Sequence, residues 1–241
     1  MRPQMHKPRG DRQSGMSLIE LLISMIIMSV ITVMILVSWF ALSKSYSYSI
    51  SSNEARDSAR EATARLEREI RDAESVSTTS EAALIRARVR TIVVSTTFNI
   101  AGNASPLTVP RLVMYRLYPD GELWRFFDAD GNGVIAGVDM SADGWPDNPY
   151  LVGERAAGEG HRMLVKNVVN DKVPSAGSPT PLFRYSYYQA DGELVQATTV
   201  LGATNRRKVV SVQLDLLVDL NPARSPIYTE FQTTAQLRNQ R

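Results

Sequence analysis

Residues 15–42 read GMSLIELLISMIIMSVITVMILVSWFAL, and this stretch decides how the chain is organised. No charged side chain occurs in residues 21–43, and about 20 apolar residues in a helix are enough to cross a bilayer. Residues 1–15 carry four basic side chains against one acidic one, and Lys44 is the first charge after the apolar run. Because excess positive charge stays on the cytoplasmic side, the sequence predicts a single-pass membrane helix with a cytoplasmic N-terminus.

Glu20 is the unexpected residue of this stretch. A carboxylate costs about 2.5–3.5 kcal/mol at the middle of a membrane span and less near the interface, so such residues are usually paired and functional. A cleaved secretory signal fits poorly, because the apolar run is long and no A-x-A-like site follows it. An ordinary signal anchor explains the length but leaves Glu20 without a role, unless its carboxylate only reaches back to the interface.

The helix is expected to continue well beyond the apolar run, because no glycine or proline occurs between Gly15 and Gly102. Acidic and basic residues stand four apart in the favourable acid-first order at Glu61–Arg65 and Glu67–Arg71. Small and aliphatic residues recur every three or four positions on the other face: Ala55, Ala59, Ala62, Leu66, Ile70 and Ala73. We therefore predict one helix from about residue 16 to about residue 74, whose second half packs this stripe on a folded domain.

The run Gly15-Met16-Ser17-Leu18-Ile19-Glu20, between a basic leader and an apolar helix, resembles the class III signal of type IV pilins and type II secretion pseudopilins. Met16 stands where that family usually has phenylalanine, and Ser17 where it has threonine. The resemblance implies that a prepilin peptidase cleaves between Gly15 and Met16 and methylates the new amine of Met16. It also implies that Glu20 neutralises the N-terminal amine of a neighbouring pilin subunit and so sets the axial register of a filament.

Residues 75–241 hold most of the glycines and prolines and are expected to form a β-rich domain. Asp-Gly turns at 120–121 and 191–192 predict two tight hairpins, and the short connections favour antiparallel pairing. The predicted fold class is α+β, a long N-terminal helix packed on an antiparallel sheet domain. Strand-like segments rich in Val, Thr, Tyr and Phe occur at 91–99, 111–118, 122–127, 162–169, 182–189, 193–200, 209–220 and 227–237.

The same arguments divide the chain into a cleaved leader at 1–15, a membrane or filament-core helix at 16–43, an amphipathic continuation at 44–74, and an outward-facing domain at 75–241 with an Asp-rich loop at 127–150. Parts of the β-rich domain resemble PilW-type minor pilins and the related pseudopilin GspJ. These parts are residues 113–118 with 123–125, and residues 164–169 with 183–187 and Asp191-Gly192. That resemblance implies a minor subunit placed near the filament tip.

Residues 128–139 match the spacing of a twelve-residue calcium loop, with a glycine at position 6 and an apolar residue at position 8. Calcium binds six to eight oxygens, which one tight turn can supply. Asp139 replaces the usual glutamate, and Ala136 offers no side-chain ligand. A solvated Asp-Gly-Asn connection is the alternative interpretation. The candidate calcium ligands are Asp128, Asp130, Asn132, the carbonyl of Val134, and Asp139.

Several function classes lose support from composition. The chain has no cysteine and two histidines, one of which, His161, is expected in an exposed loop, so thiolate and histidine metal sites are not favoured. Outside residues 1–15 acidic side chains slightly outnumber basic ones, which disfavours direct nucleic-acid binding. No activated nucleophile or acid–base pair is evident, so the chain is predicted not to be an enzyme.

The expected function is therefore a minor pilin of a type IV pilus. It would reside in the inner membrane before assembly, and later in a pilus at the cell surface or in a periplasmic pseudopilus. Its partners would be prepilin peptidase, the membrane, and other major and minor pilins contacted through the helix. A minor pseudopilin of type II secretion is the alternative within this class. The alternative from another class is a signal-anchored enzyme or calcium-dependent binding module.

Overall fold

The computed structural model describes residues 17–73, 83–97, 111–128, 131, 135, 138, 160–175, 178–220 and 228–237. The chain divides into two compact units between Ser49 and Ile50, and each is described by itself. The α+β prediction is confirmed, because a long N-terminal helix is followed by antiparallel sheets.

Helix α1 runs over Leu18–Arg71, close to the predicted 16–74. In the first unit most of its large side chains are apolar, and several of its hydroxyl groups bond to the helix backbone. The hydroxyls of Ser24, Thr32 and Ser38 each donate to the carbonyl four residues earlier, at 2.7–2.9 Å. Hydroxyl groups bonded in this way leave no donor without a partner, so they are tolerated in a helix surrounded by lipid or by other helices.

In the second unit, α1 packs as the periodicity predicts. Ala59, Ala62, Leu66, Ile70 and Ala73 are all buried in the main hydrophobic core, and Ala55 packs against that core. The predicted acid-first pairs form beside this stripe, with Glu61 3.4 Å from Arg65 and Glu67 bonded to Arg71. Such exposed pairs contribute only a few tenths of a kcal/mol each. Burial of the aliphatic stripe therefore contributes much more than these pairs to holding this half of α1 on the domain.

Two antiparallel sheets make up most of the domain. The first has the order β1-β2-β3-β4-β5 and the second the order β11-β10-β8-β9, which we call the C-terminal sheet. Two short strands, β6 and β7, pair with each other, and a four-residue helix, α2, precedes β10. The strands are β1 Leu84–Ala87, β2 Thr91–Thr96, β3 Arg111–Leu117, β4 Leu123–Phe127, β5 Arg162–Val165, β6 Pro174–Ser175, β7 Ser178–Pro179, β8 Phe183–Tyr188, β9 Leu194–Ala197, β10 Val209–Asp219 and β11 Tyr228–Gln236, and α2 is Ala203–Arg206.

All eight predicted strand segments contain a strand. The prediction missed β1, β6, β7 and α2, which are short. Alternation along β4 explains how the first sheet is covered on both faces. Leu123 lies in the main core with α1, whereas Phe126 belongs to a second apolar cluster with Met114 and Ile135. The first sheet therefore packs against α1 on one face and against Ile135 on the other.

The two predicted hairpins have the same turn. In the β3–β4 hairpin the N–H of Glu122 donates to the carboxylate of Asp120, and in the β8–β9 hairpin the N–H of Glu193 donates to that of Asp191. Gly121 and Gly192 both have φ near +84°, a conformation that L side chains rarely adopt. Their surroundings differ, because the N–H of Val168 donates to the carbonyl of Gly121 at 2.8 Å, whereas nothing lies within 4 Å of a Cβ placed on Gly192.

This pair of glycines gives a matched test of the close contact. Gly192→Ala should cost about 1 kcal/mol, from the positive φ alone. Gly121→Ala should cost at least about 1–3 kcal/mol more, because its Cβ would lie 2.7 Å from the backbone oxygen of Val168. Denaturant unfolding of the two variants measures the difference. Equal destabilisation would show that the contact between Gly121 and Val168 adds nothing.

Candidate functional site

The start of α1 is the first candidate site. The carbonyl of Ser17 accepts the N–H groups of Glu20 and Leu21 at 3.0 and 3.1 Å, so Ser17 occupies the N-cap position and Glu20 the first turn. A carboxylate in the first turn is favoured by the helix dipole. Ser17 and Glu20 also have the spacing of a capping box, a signal that the sequence analysis missed. Gly15 and Met16 lie outside the described residues.

The helix surface after Glu20 is exposed and apolar. Its large hydrophobic side chains, from Leu18 to Leu42, are 46–78% exposed. By length and composition α1 could cross a membrane, and none of its most apolar window is buried inside the protein. A surface of this kind needs lipid or other helices around it, because soluble monomers rarely expose more than a few hundred Å² of contiguous apolar surface.

The second candidate site is the predicted calcium loop, of whose ligands only Asp128 is described. Its side chain is 1% exposed directly after β4, and its Oδ1 accepts the N–H of Gly131 at 2.8 Å. Asp130, Asn132, Val134 and Asp139 lie outside the described residues. Within the described part of the chain, no three acidic or histidine side chains come together as a metal site.

Two further side chains, Ile135 of this loop and Arg111 of β3, are described close to it. Ile135, at the apolar position 8, is fully buried in the second apolar cluster. Arg111 lies next to Gly131, because a Cβ on Gly131 would be 3.6 Å from its Nε. Asp128 and Ile135 are thus both buried, and one basic side chain from β3 lies beside Gly131.

His161 lies in the loop directly before β5, as expected, but it is not fully exposed. Its side chain is only partly exposed, and its ring stands edge-on to Phe126 with centroids 4.9 Å apart. The exposure was predicted wrongly because the two glycines before His161 indicate a turn but do not show what lies beneath it.

The sequence analysis missed a buried ionic cluster of Glu69, Arg125 and Tyr115. Glu69 on α1 and Arg125 on β4 are 1% and 2% exposed, and Arg125 Nη2 donates to Glu69 Oε1 at 2.7 Å. Arg125 Nε donates to both carboxylate oxygens at 3.1–3.2 Å, and the hydroxyl of Tyr115 on β3 donates to Oε2 at 2.5 Å. The carboxylate is therefore fully bonded, and the cluster ties α1 to the first sheet.

Burial and charge shift the pKa values of this cluster. Burial raises the pKa of Tyr115 well above its usual value, and the negative charge of Glu69 raises it further. Burial by itself lowers the pKa of Arg125, but Glu69 more than offsets this, so the net pKa is raised. The pKa of Tyr185, whose hydroxyl donates to the carbonyl of Arg88 at 2.7 Å, is also raised by burial. The cluster is a structural ion pair rather than a proton-transfer site, because it is closed to solvent.

These tyrosines predict a loss of stability at alkaline pH. The folded state keeps both phenols neutral, whereas the unfolded chain ionises them near pH 10, so the stabilisation is present below pH 10 and is lost as pH rises above it. Each tyrosine contributes a slope of up to about 1.4 kcal/mol per pH unit.

Denaturant unfolding between pH 8 and pH 11 measures this slope. Tyr185→Phe should be less steep than the natural chain, and Tyr228→Phe, which removes an exposed phenol, should not differ from it. Equal slopes for all three proteins would contradict the prediction.

The comparisons with known proteins point to the start of α1. Residues 10–36 match the prokaryotic N-terminal methylation motif, a segment that includes Gly15, Met16 and Glu20. No curated protein and no solved structure matches the chain.

The features together describe a protein with an apolar N-terminal helix, consistent with a single-pass membrane anchor, and a β-rich domain. The motif supports a type IV pilin-like protein that prepilin peptidase processes and that assembles with other pilin subunits. Proteins of this kind are generally structural rather than catalytic.

Proposed function

We propose that this chain is a minor pilin of a type IV pilus. Prepilin peptidase would cleave it between Gly15 and Met16 and methylate Met16, and the mature subunit would enter the filament near its tip or priming complex. The observation that supports this most is the methylation motif at residues 10–36, which leads directly into an exposed apolar helix. Before assembly the subunit would reside in the inner membrane with its N-terminus in the cytoplasm.

Glu20 would act in assembly rather than in folding. It lies in the first turn of α1 and is exposed, so no contact within the described chain commits its carboxylate. An unpaired carboxylate in an apolar environment is costly, and the free amine of Met16 in a neighbouring subunit would supply the opposite charge. Only one stagger of adjacent helices brings the two groups together, which is how Glu20 would set the axial register.

The mass of the N-terminus tests this proposal. We expect a chain that starts at N-methylated Met16 in native membranes that contain the peptidase, and the uncleaved chain in membranes that lack it. An intact leader in both samples would identify an ordinary signal anchor. Recovery of the mature chain in sheared pili, rather than in a periplasmic pseudopilus, separates a pilus subunit from a type II secretion pseudopilin.

We further propose that the loop at residues 128–139 binds calcium. Two described residues support this, since Asp128 at position 1 is buried with its Oδ1 accepting the N–H of Gly131, and Ile135 at position 8 is buried in the second apolar cluster. Asp128, Asp130, Asn132, the carbonyl of Val134 and Asp139 would be the ligands. Arg111 is the competing source of positive charge for this acidic segment.

Limited proteolysis of the full chain distinguishes calcium from Arg111. Calcium should slow cleavage within residues 127–150 about tenfold relative to a chelator, because ligand binding stabilises the bound conformation. Asp139→Asn should abolish that protection, whereas Asp147→Asn, outside the twelve-residue loop, should keep it. If calcium changes nothing and Arg111→Gln speeds cleavage, the arginine and not a metal neutralises the loop.

A further inference from the structure

The aromatic side chains of α1 are confined to one short part of the helix. Residues 1–38 and residues 49–97 contain no Trp, Tyr or Phe, whereas residues 39–48 contain four: Trp39, Phe40, Tyr46 and Tyr48. Three of these four, Trp39, Phe40 and Tyr46, are 68–70% exposed. Because aromatic side chains carry a large apolar area that proteins normally bury, this cluster indicates a surface that contacts something outside the chain.

The aromatic cluster begins one bilayer thickness after Glu20. At 1.5 Å per residue, Glu20 and Trp39 lie about 28 Å apart along α1, close to the thickness of about 30 Å that the hydrocarbon part of a bilayer has. A helix with Glu20 at one membrane interface therefore places Trp39 at the other. Lys44 is the only charged residue between Glu20 and Glu54, and its positive charge complements the phosphate groups of lipids.

Trp39 and Tyr46 have the chemistry that a membrane interface favours. Each side chain joins a flat apolar body to one polar group, and Trp and Tyr are enriched where the hydrocarbon of a bilayer meets its headgroups. The two residues are seven positions apart, which is two turns of the helix, so they lie on the same side of α1. Phe40 is equally exposed but has no polar group, so the chain contains a natural comparison for the role of that group.

Lipid fits this surface better than a neighbouring helix does. Helices that pack together inside membranes favour small residues at their contacts, because small side chains let the backbones approach closely. Residues 39–46 instead carry exposed aromatic rings, and the charged Lys44 stands between Ser43 and Ser45. Such a mixture suits the hydrated headgroup layer, into which the apolar surface of α1 leads without interruption.

We propose that residues 39–46, the interface segment, bind the lipid headgroups on the outer side of the inner membrane and fix the depth of α1. The indole N–H of Trp39 and the hydroxyl of Tyr46 donate to lipid phosphate or ester oxygens, and Lys44 pairs with a lipid phosphate. The hydrocarbon part of the membrane then ends at Trp39, before the predicted end of the membrane helix at residue 43. This inference rests on the membrane anchor of the proposed function and not on a pilus.

Cysteine accessibility measures this depth, because the chain has no cysteine of its own. The full chain with one added cysteine is produced in a host that makes no pili, and spheroplasts are treated with a membrane-impermeant maleimide. We expect Ser49→Cys to react at least tenfold faster than Val37→Cys, and Ser43→Cys to react at an intermediate rate. Adding Trp39→Leu to Ser43→Cys keeps an apolar side chain but removes the polar group, so the helix should sink and the reaction should slow at least threefold. Adding Phe40→Leu instead is the matched control and should leave the rate unchanged.

Two results would overturn the inference. Equal rates with Trp39→Leu and Phe40→Leu would show that the polar group of Trp39 does not set the depth. An effect of Trp39→Leu that occurs only in native membranes, where other pilins are present, would assign the contact to a neighbouring helix. The N-terminal mass of native samples keeps the two proposals separate. An uncleaved chain with the expected rates rejects the pilin assignment alone, whereas a chain that starts at Met16 without these rates rejects the interface segment alone.

Discussion

Glu69→Ala is expected to destabilise the domain by about 3–5 kcal/mol, which is the usual cost of removing one partner from a buried ion pair. The variant leaves Arg125 buried with no carboxylate to accept its three hydrogen bonds, and leaves the hydroxyl of Tyr115 without an acceptor. Denaturant unfolding of the natural chain and the variant measures the loss.

Glu67→Ala is the matched control, because Glu67 lies on the same turn of α1 but is partly exposed, where it pairs with Arg71 and accepts one hydrogen bond from the hydroxyl of Thr233. Exposed pairs of this type contribute a few tenths of a kcal/mol, so the two glutamates should differ by several kcal/mol. Glu69→Ala that costs no more than Glu67→Ala would mean that the cluster does not hold α1 to the first sheet.

An all-apolar replacement separates the contribution of the pair from the cost of breaking it. Glu69→Met with Arg125→Met and Tyr115→Phe removes every polar group of the cluster together, and buried ion pairs replaced in this way are often neutral or even stabilised. The triple variant should therefore recover most of the stability that Glu69→Ala loses. Failure to recover it would indicate that packing around the guanidinium, including its position 5.5 Å from the ring of Phe127, matters more than charge.

The cluster of Glu69, Arg125 and Tyr115 could not be predicted from the sequence, and its structure shows why. The stripe from Ala55 to Ala73 was predictable because helical periodicity is a local property. Glu69 stands next to Ile70 on that stripe, but a glutamate in an amphipathic helix normally faces solvent. Its partner lies 56 residues further along the chain, and nothing local in β4 distinguishes Arg125 from an exposed arginine. Pairing over such a separation is a tertiary property.

The two hairpins illustrate the same limit. Their Asp-Gly turns were predictable because positive φ favours glycine, and the hydrogen bonds of the two turns correspond. The sequence did not indicate that Leu123 would be buried while Leu194, at the corresponding position of the second hairpin, would be 54% exposed. Leu123 packs in the main core with α1, and Val168 lies against the first turn only, so the difference arises from tertiary contacts.

The residues of the candidate sites also differ in whether the local sequence is enough to predict them. Glu20 could be predicted as a site residue because the pattern that identifies it is local. That pattern is a glycine five positions earlier, a basic leader and an apolar helix. The proposed calcium loop was also predicted from local spacing, and the burial of Ile135 agrees with the apolar position that the loop pattern contains. Arg111 was not found, because β3 places it beside the loop only in the folded domain.

Glu20→Ala is expected to reduce incorporation of the subunit into filaments about 100-fold. The physical reason is that the amine of a neighbouring Met16 would then be buried among apolar helices without an opposite charge, and a loss of about 3 kcal/mol corresponds to that factor. Membrane insertion should not decrease, because the change removes a charge from an apolar segment. Folding of the β-rich domain should not change, because Glu20 does not belong to that domain. Immunoblots of sheared filaments and of the membranes that remain measure both quantities.

Two further variants show whether charge or helix capping is responsible. Glu20→Gln keeps the size and hydrogen-bonding capacity of the side chain but not its charge, so it should fail to assemble like Glu20→Ala if pairing with an amine is the role. It should assemble normally if Glu20 serves only the capping-box geometry with Ser17, since glutamine is an accepted residue there. Glu54→Ala, which removes an exposed carboxylate from the same helix, should leave assembly unchanged. Because cleavage after Gly15 is scored separately by N-terminal mass, a processed Glu20→Gln chain that stays in the membrane would assign the carboxylate to assembly itself.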